Sequence, residues 1–221
     1  TLEDALAIKA YAADVSKAMV VGGGLLGLET ARALHDGGLD TRVIEIADHL
    51  LPRQTDREGA HVLRAILEAQ GLELVTGVMV ASILGNAKAE GVLSEDGRDF
   101  VGELILFSAG IRCRARLAEE AGLEVNRGIV VDERMRTSAE DVFAAGDVAE
   151  FEGRIYGNIP PSIEQANVAA ANMMNSGSKT YAGTLATTTL EVAGARVTSL
   201  GTYNPDDTQA FRIVRRADPE R

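Results

Sequence analysis

The stretch Val20-Val21-Gly22-Gly23-Gly24-Leu25-Leu26-Gly27-Leu28-Glu29 decides how the rest of the chain is read. Before it lies a short apolar run, Lys17–Val21, and after it comes an Ala/Leu-rich stretch at helical spacing, Leu25–His35, stopped by Asp36-Gly37-Gly38. The order is strand, tight turn, helix. The turn carries G-x-G-x-x-G at Gly22, Gly24 and Gly27. In that spacing the first glycine allows a sharp turn, the second lets a pyrophosphate approach the backbone, and the third lets the helix pack on the strand. The free amides at the helix N-terminus then face the phosphates. Glycine clusters also occur in ordinary turns, so the flanking elements matter more than the glycines.

Working outward, a second β-rich run, Thr41–Ile46, carries Glu45 at its end, 18 residues beyond Gly27 (45 − 27). A carboxylate about there can accept hydrogen bonds from an adenosine ribose and would repel a 2′-phosphate, which favours NAD over NADP. His49 and Arg53 are the cations within reach, and the competing reading of Glu45 is a solvated strand end. A helix capped by Thr55 or Asp56 follows, with Val62, Ala65, Ile66 and Ala69 on its apolar face, and Leu72–Val75 is the next strand. The β-α-β-α-β order implies a parallel sheet. An antiparallel insertion at about 77–102 is expected from Val78–Leu84, Lys88–Leu93 and the Asp96-Gly97 hairpin into Arg98–Val101. Glu103–Phe107 then reads as a buried strand ending at Ser108-Ala109-Gly110, which closes a first domain over residues 1–111.

Beyond residue 111 the signals are weaker. Leu117–Ala121 suggests a short helix stopped by Gly122, and Gly128–Val131 and Val142–Ala145 suggest short strands. The latter would put Gly146-Asp147 at a strand's carboxyl end, where α/β folds bind ligands. Asp147 reads equally well as a helix cap or turn residue. Pro160-Pro161-Ser162 opens a helix over Ile163–Asn175 with Ser162 as its expected cap. Ser176–Ala182 reads as a linker to β-prone segments at Ala186–Val192, Arg196–Leu200 and Phe211–Val214.

Composition bounds the function. The 221 residues hold 22 Lys and Arg against 33 Asp and Glu, a formal charge of −11, which opposes nucleic-acid binding. The densest basic cluster is only Arg112, Arg114 and Arg116. Hydrophobic residues at 46% with 25% charged argue against disorder, and 4 Tyr, 5 Phe and no Trp are too few for base-stacking platforms. The longest apolar stretches, Met19–Leu28 and Leu104–Ile111, fall short of the roughly 18 residues a membrane span needs. With no signal peptide and Cys113 as the single cysteine, the expected setting is the cytoplasm, without membrane association. His35, His49 and His61 have no companions at metal-ligand spacing, so no metal is expected.

Taken together, these motifs resemble the two-dinucleotide-domain flavoproteins of the pyridine nucleotide-disulfide oxidoreductase family. The resemblance rests on Gly22–Glu29, on Leu50-Leu51-Pro52-Arg53 with Asp56, and on Ser108-Ala109-Gly110-Ile111-Arg112. It continues through Leu117–Leu123 and, nearly residue for residue, through Thr137–Asp147. Thr1–Ala5 is similar to the family's linker into the NAD domain. Glu164-Gln165-Ala166 and Thr187–Ala193 are most similar to the rubredoxin reductase and nitrite reductase large-subunit branch.

The resemblance implies NAD contacts from Gly22, Gly24, Leu25, Leu26, Gly27, Glu45, Arg53 and Gly110, and FAD contacts from Gly146 and Asp147. Glu29 would lie near the nicotinamide and flavin rings, and the helix beginning at Ser162 would aim its positive end at the flavin. The implied fold is α/β: a Rossmann-like three-layer NAD(P)-binding domain with a β insertion (1–111), the later part of an FAD-binding domain (112–178), and the start of an α+β interface domain (179–221). Only one G-x-G-x-x-G is present where the family has two, so these residues are expected to belong to a longer flavoprotein. No C-x-x-C supports disulfide chemistry, Cys113 stands where relatives often have proline, and Thr187–Glu191 lacks the lysine that the branch often places near the flavin.

The expected activity is hydride transfer from NADH to FAD, with electrons passed to a carrier protein or small acceptor such as rubredoxin or a nitrite reductase centre. The alternative is a dinucleotide-binding sensor or docking module without chemistry. Either can form homo-oligomers.

Overall fold

The computed structural model describes residues 1–175, 177–185, 187–192, 194–201 and 214. They fall into two compact units, Thr1–Gly110 with Ala186–Arg221, and Ile111–Leu185.

In the first unit, α1 (Leu2–Ala12) is opened by a capping box: the Thr1 hydroxyl accepts from the Asp4 N–H, and the Asp4 carboxylate accepts in return from the Thr1 amino group. This helix occupies the stretch that resembles a linker. A parallel sheet follows, with β1 (Lys17–Val21), β2 (Asp40–Glu45), β3 (Glu73–Thr76) and β7 (Leu104–Phe107) in the order β3-β2-β1-β7. Val20 pairs with Val43 on one side and Leu106 on the other. The crossovers are α2 (Leu25–Asp36) and α3 (Arg57–Ala69), the latter capped by Asp56, one of the two expected caps.

The strands are apolar on consecutive residues because both faces are covered. Ala18, Val20 and Val43 pack with Leu28, Ala31 and Leu34 of α2 and Leu63 and Leu67 of α3. The alternate residues Met19 and Ile44 pack with Val78 and Val92. That second face belongs to an antiparallel sheet of β4 (Val80–Leu84), β5 (Gly91–Ser94) and β6 (Asp99–Val101), turned at Gly97 with φ of 85°. The result is three layers. Val78, expected in a strand, instead donates its N–H to the Glu45 carbonyl at 3.0 Å, so the insertion begins by holding the end of β2.

The hairpin of β10 (Thr187–Val192) and β11 (Ala195–Leu200) packs on α2, and Leu190 and Ala195 share the core with Leu28 and Ala31. The strand expected at Phe211–Val214 lies, apart from Val214, outside the described residues.

The second unit contains α4 (Arg116–Glu120), the parallel pair β8 (Ile129–Val131) and β9 (Ala149–Phe151), and α5 (Ile159–Met174) around Val131, Met135, Phe151, Val168 and Tyr181. Three readings of this part change. Val142–Ala145 is not a strand: Asp141 turns left-handed at φ 60° just before it, and only the bridge Arg136↔Phe143 forms. Asp147 therefore follows a turn and precedes β9. The cap of α5 is Asn158 and not Ser162, with Pro160 and Pro161 inside the first turn, where proline's missing N–H costs nothing. Finally, Tyr181, in the stretch read as a linker, is buried in the core and donates its N–H to the Glu133 carbonyl at 2.7 Å.

Candidate dinucleotide-binding site

At the carboxyl end of the parallel sheet the three fingerprint glycines have three separate reasons to be glycine. Gly22 has φ of 122°, and a Cβ on it would lie 2.3 Å from the Ser108 carbonyl oxygen. A Cβ on Gly27 would lie 1.9 Å from the Gly22 carbonyl oxygen, so helix and strand meet backbone to backbone. Gly24 is different: a Cβ there would meet nothing within 4 Å. It is the N-cap of α2, has no side-chain capping bond, and leaves the Leu25 and Leu26 amides without an acceptor among the described residues. Space and free donors coincide where an anion would sit at the positive end of the helix.

Glu45 ends β2 beside this loop. It is only 6% exposed, which removes the solvated strand-end alternative. Its Oε2 accepts the Gly23 N–H at 2.5 Å and its Oε1 accepts the Ala47 N–H at 2.8 Å. Each carboxylate oxygen keeps a further lone pair for another donor. His49 is bound to Asp48 (Nδ1 to Oδ1, 2.5 Å), and Asp48 also pairs with Arg57. The His49 contact is the main reason the Asp48 carboxyl titrates below its ordinary value. Arg53 is exposed, Leu25 half-buried, and Leu26 and Glu29 exposed on the first turns of α2. Gly110, with φ of 96°, lies in the loop that follows β7. Sequence reasoning missed Leu51, whose N–H donates to the Gly23 carbonyl at 3.0 Å; the Leu-Leu-Pro run was its only trace.

In the second unit, Gly146 has φ of 83° and donates its N–H to Gln165 Oε1 at 2.8 Å. Asp147 is exposed, and its Oδ1 lies 3.5 Å from the Ser162 hydroxyl on the first turns of α5. An exposed carboxylate beside a helix start suits a polyol chain with hydroxyls to donate. The Cys113 thiol donates to the Asp147 carbonyl at 2.9 Å. Burial, then the charges of Asp147 and Glu150, raise its pKa, so little thiolate exists near neutral pH. The buried Glu150, unforeseen from sequence, accepts from Asn126 Nδ2 and from the Arg127 and Gly128 N–H groups at 2.8–2.9 Å. Burial alone would raise its pKa, but these donors outweigh burial and lower it. No cluster of three or more His, Cys, Asp or Glu suited to a metal occurs among the described residues, and none of their helices is long and apolar enough to cross a membrane.

A parallel sheet with a glycine turn, a helix N-terminus and an acid at the next strand end defines a Rossmann-type dinucleotide-binding unit. The profile of the pyridine nucleotide-disulphide oxidoreductase family matches residues 1–172, and the chain belongs to that family. It is 36% identical over 218 residues to the nitrite reductase (NAD(P)H) of Bacillus subtilis, covering 98% of this chain and 27% of that protein. Among solved structures it is similar to a ferredoxin reductase from Rhodopseudomonas palustris, with a TM-score of 0.81, 25% identity, and coverage of 90% of this chain and 50% of that one. A FAD-dependent pyridine nucleotide-disulphide oxidoreductase from Desulfovibrio vulgaris gives a TM-score of 0.72 at 32% identity over 84% of this chain and 50% of that one. The chain thus spans about a quarter of the first of these relatives and half of the other two.

Proposed function

We propose that this chain is the nucleotide-handling part of an NADH-dependent flavoprotein oxidoreductase that delivers electrons to a carrier protein or a small acceptor. The observation that carries the reading is the open space at Gly24, bordered by the Leu25 and Leu26 amides, which have no acceptor among the described residues, with Glu45 at the end of the neighbouring strand. In this reading Gly24 admits the pyrophosphate, the two amides donate to it, and Glu45 accepts from the adenosine ribose. Glu29 borders the nicotinamide end and Gly110 flanks the dinucleotide. Asp147 accepts a hydroxyl of the FAD ribityl chain, and the start of α5 contributes positive potential toward the flavin ring. When bound, the flavin supplies two-electron acceptance from NADH and one-electron delivery onward. The branch resemblance supports rubredoxin or a nitrite reductase centre as the class of acceptor, and a cytoplasmic setting goes with that chemistry.

Calorimetry of the 221-residue chain tests the first half: NADH binds weakly to moderately and more tightly than NADPH, because Glu45 opposes a 2′-phosphate, and FAD uptake is negligible. Equal or tighter NADPH binding would overturn the role of Glu45. Tight stoichiometric FAD uptake would show that these residues need no further flavin-binding motif. A protein of the relatives' length carrying this chain is expected to be yellow and to bleach with NADH. If it is colourless and takes up no flavin, the non-catalytic binding module replaces the oxidoreductase.

A further inference from the structure

We propose that Glu45 and Leu51 clamp Gly23 from both sides and thereby preset the glycine loop, so that the ribose end and the phosphate end of the site are mechanically joined. The proposal rests on the dinucleotide reading above. Gly23 donates its N–H to Glu45 Oε2 at 2.5 Å and accepts at its carbonyl from the Leu51 N–H at 3.0 Å. Both partners are themselves fixed. The second Glu45 oxygen accepts from the Ala47 N–H at 2.8 Å, and the Glu45 carbonyl accepts from the Val78 N–H at 3.0 Å. Leu51 is fully buried, and its carbonyl accepts from the Gln54 and Thr55 N–H groups at 2.8 and 3.0 Å.

Two further observations make this a built device. Leu51 has φ of 51°, a left-handed conformation that is strained for a leucine and persists only where the surroundings impose it. The Thr55 hydroxyl, at 3.0 Å from the Leu50 carbonyl and 3.3 Å from that of Leu51, is part of what imposes it. The other observation is Gly23 itself, which fills the variable position of G-x-G and is not left-handed. A Cβ on it would lie 2.9 Å from Leu50 Cδ2, 3.0 Å from Glu45 Cβ and 3.1 Å from Glu45 Oε2. A side chain there would have to push aside Leu50 and shift Glu45, the acceptor of the Gly23 N–H, by a few tenths of an ångström. Leu51 is accordingly a positioning residue, and Glu45 both positions the loop and reads the ribose.

The test uses the 221-residue chain with adenosine, which has the ribose but no phosphate, and with ADP, which has both, followed by amide NMR. In the ligand-free chain the Gly23 and Leu51 amides are expected to exchange slowly and the Leu25 amide quickly. Glu45→Gln is expected to weaken ADP about tenfold more than adenosine, the size of one hydrogen bond to a charged group. Gly23→Ala, which removes no ribose partner, should likewise cost ADP more than adenosine, and it decides the matter should Glu45→Gln fail to fold. A wild-type chain that binds neither ligand overturns the dinucleotide reading. A wild-type chain that binds ADP overturns the clamp if Gly23 exchanges as fast as Leu25, if Glu45→Gln weakens both ligands by the same factor, or if folded Gly23→Ala keeps its ADP affinity.

Discussion

The turns at Gly22–Gly27 and at Gly146-Asp147 carry the two acid-and-glycine features that the sequence singles out, and they are built in opposite ways. In the first, backbone meets backbone at 2–3 Å from where a side chain would begin, and the acid is buried against the loop it serves. In the second, the glycine carbonyl accepts the Ala149 N–H at 2.9 Å while its own N–H is held by an amide side chain, Gln165, and the acid stands exposed 3.5 Å from the Ser162 hydroxyl. A turn packed backbone on backbone leaves no room for an added atom at its contact points. A turn held partly by a side chain also depends on that partner being present, so the consequences of substitution should separate cleanly.

The largest effect is expected at Gly27→Ala. Its Cβ cannot be accommodated 1.9 Å from the Gly22 carbonyl without moving α2, so unfolding free energy should fall by about 3 kcal/mol or more and NADH binding should vanish, read by thermal unfolding and calorimetry. A stable Gly27→Ala would break the claim that the first turn is sterically closed. Next comes Gly24→Ala, with φ of −80° and ψ of −177° open to any residue. Stability should hold within about 0.5 kcal/mol while NADH affinity drops about tenfold, because the methyl group fills the phosphate space.

In the second unit, Glu150→Gln should cost about 1–3 kcal/mol through the donors it leaves poorly paired. Because Glu150 titrates below its ordinary value, its stabilisation is complete above about pH 4.3 and is lost as pH falls through the lower folded-state pKa. The variant should therefore flatten the acid limb of the stability profile, and an unchanged limb would remove Glu150 from that role. The smallest effect is at Cys113. With its pKa raised it should react more slowly with iodoacetamide at pH 7 than a free thiol, and Cys113→Ser, whose hydroxyl can still donate to the Asp147 carbonyl, should change stability by less than about 0.5 kcal/mol.

What the sequence disclosed follows the same division. Glycine spacing, a strand end and an acid 18 residues on are local and periodic, so β1, α2, β2 and the placement of Glu45 could be read directly. Thr55-Asp56 declared a helix start by capping chemistry, and the structure selects Asp56 as the cap. The left-handed Leu51 could not be read, because leucine carries no preference for that conformation and only its neighbours impose it. Val142–Ala145 has strand-forming residues but forms only one bridge among the described residues, and pairing is a property of two segments. Ser162 looked like a cap because two prolines precede it, yet prolines fit inside a first turn as well as before it. Gln165 and Glu150 act on residues about 20 positions away, a distance at which sequence periodicity is silent.

The β10–β11 hairpin has a consequence for synthesis. Leu190, Ala195 and the half-buried Val197 complete the core over α2, whereas the other residues of that core all precede residue 107. The 75 residues of Ile111–Leu185 must therefore be made before the first unit can close. A nascent chain halted anywhere in that interval holds a finished phosphate turn on an α2 whose outer face is still bare, and chaperone contact during translation would be concentrated there.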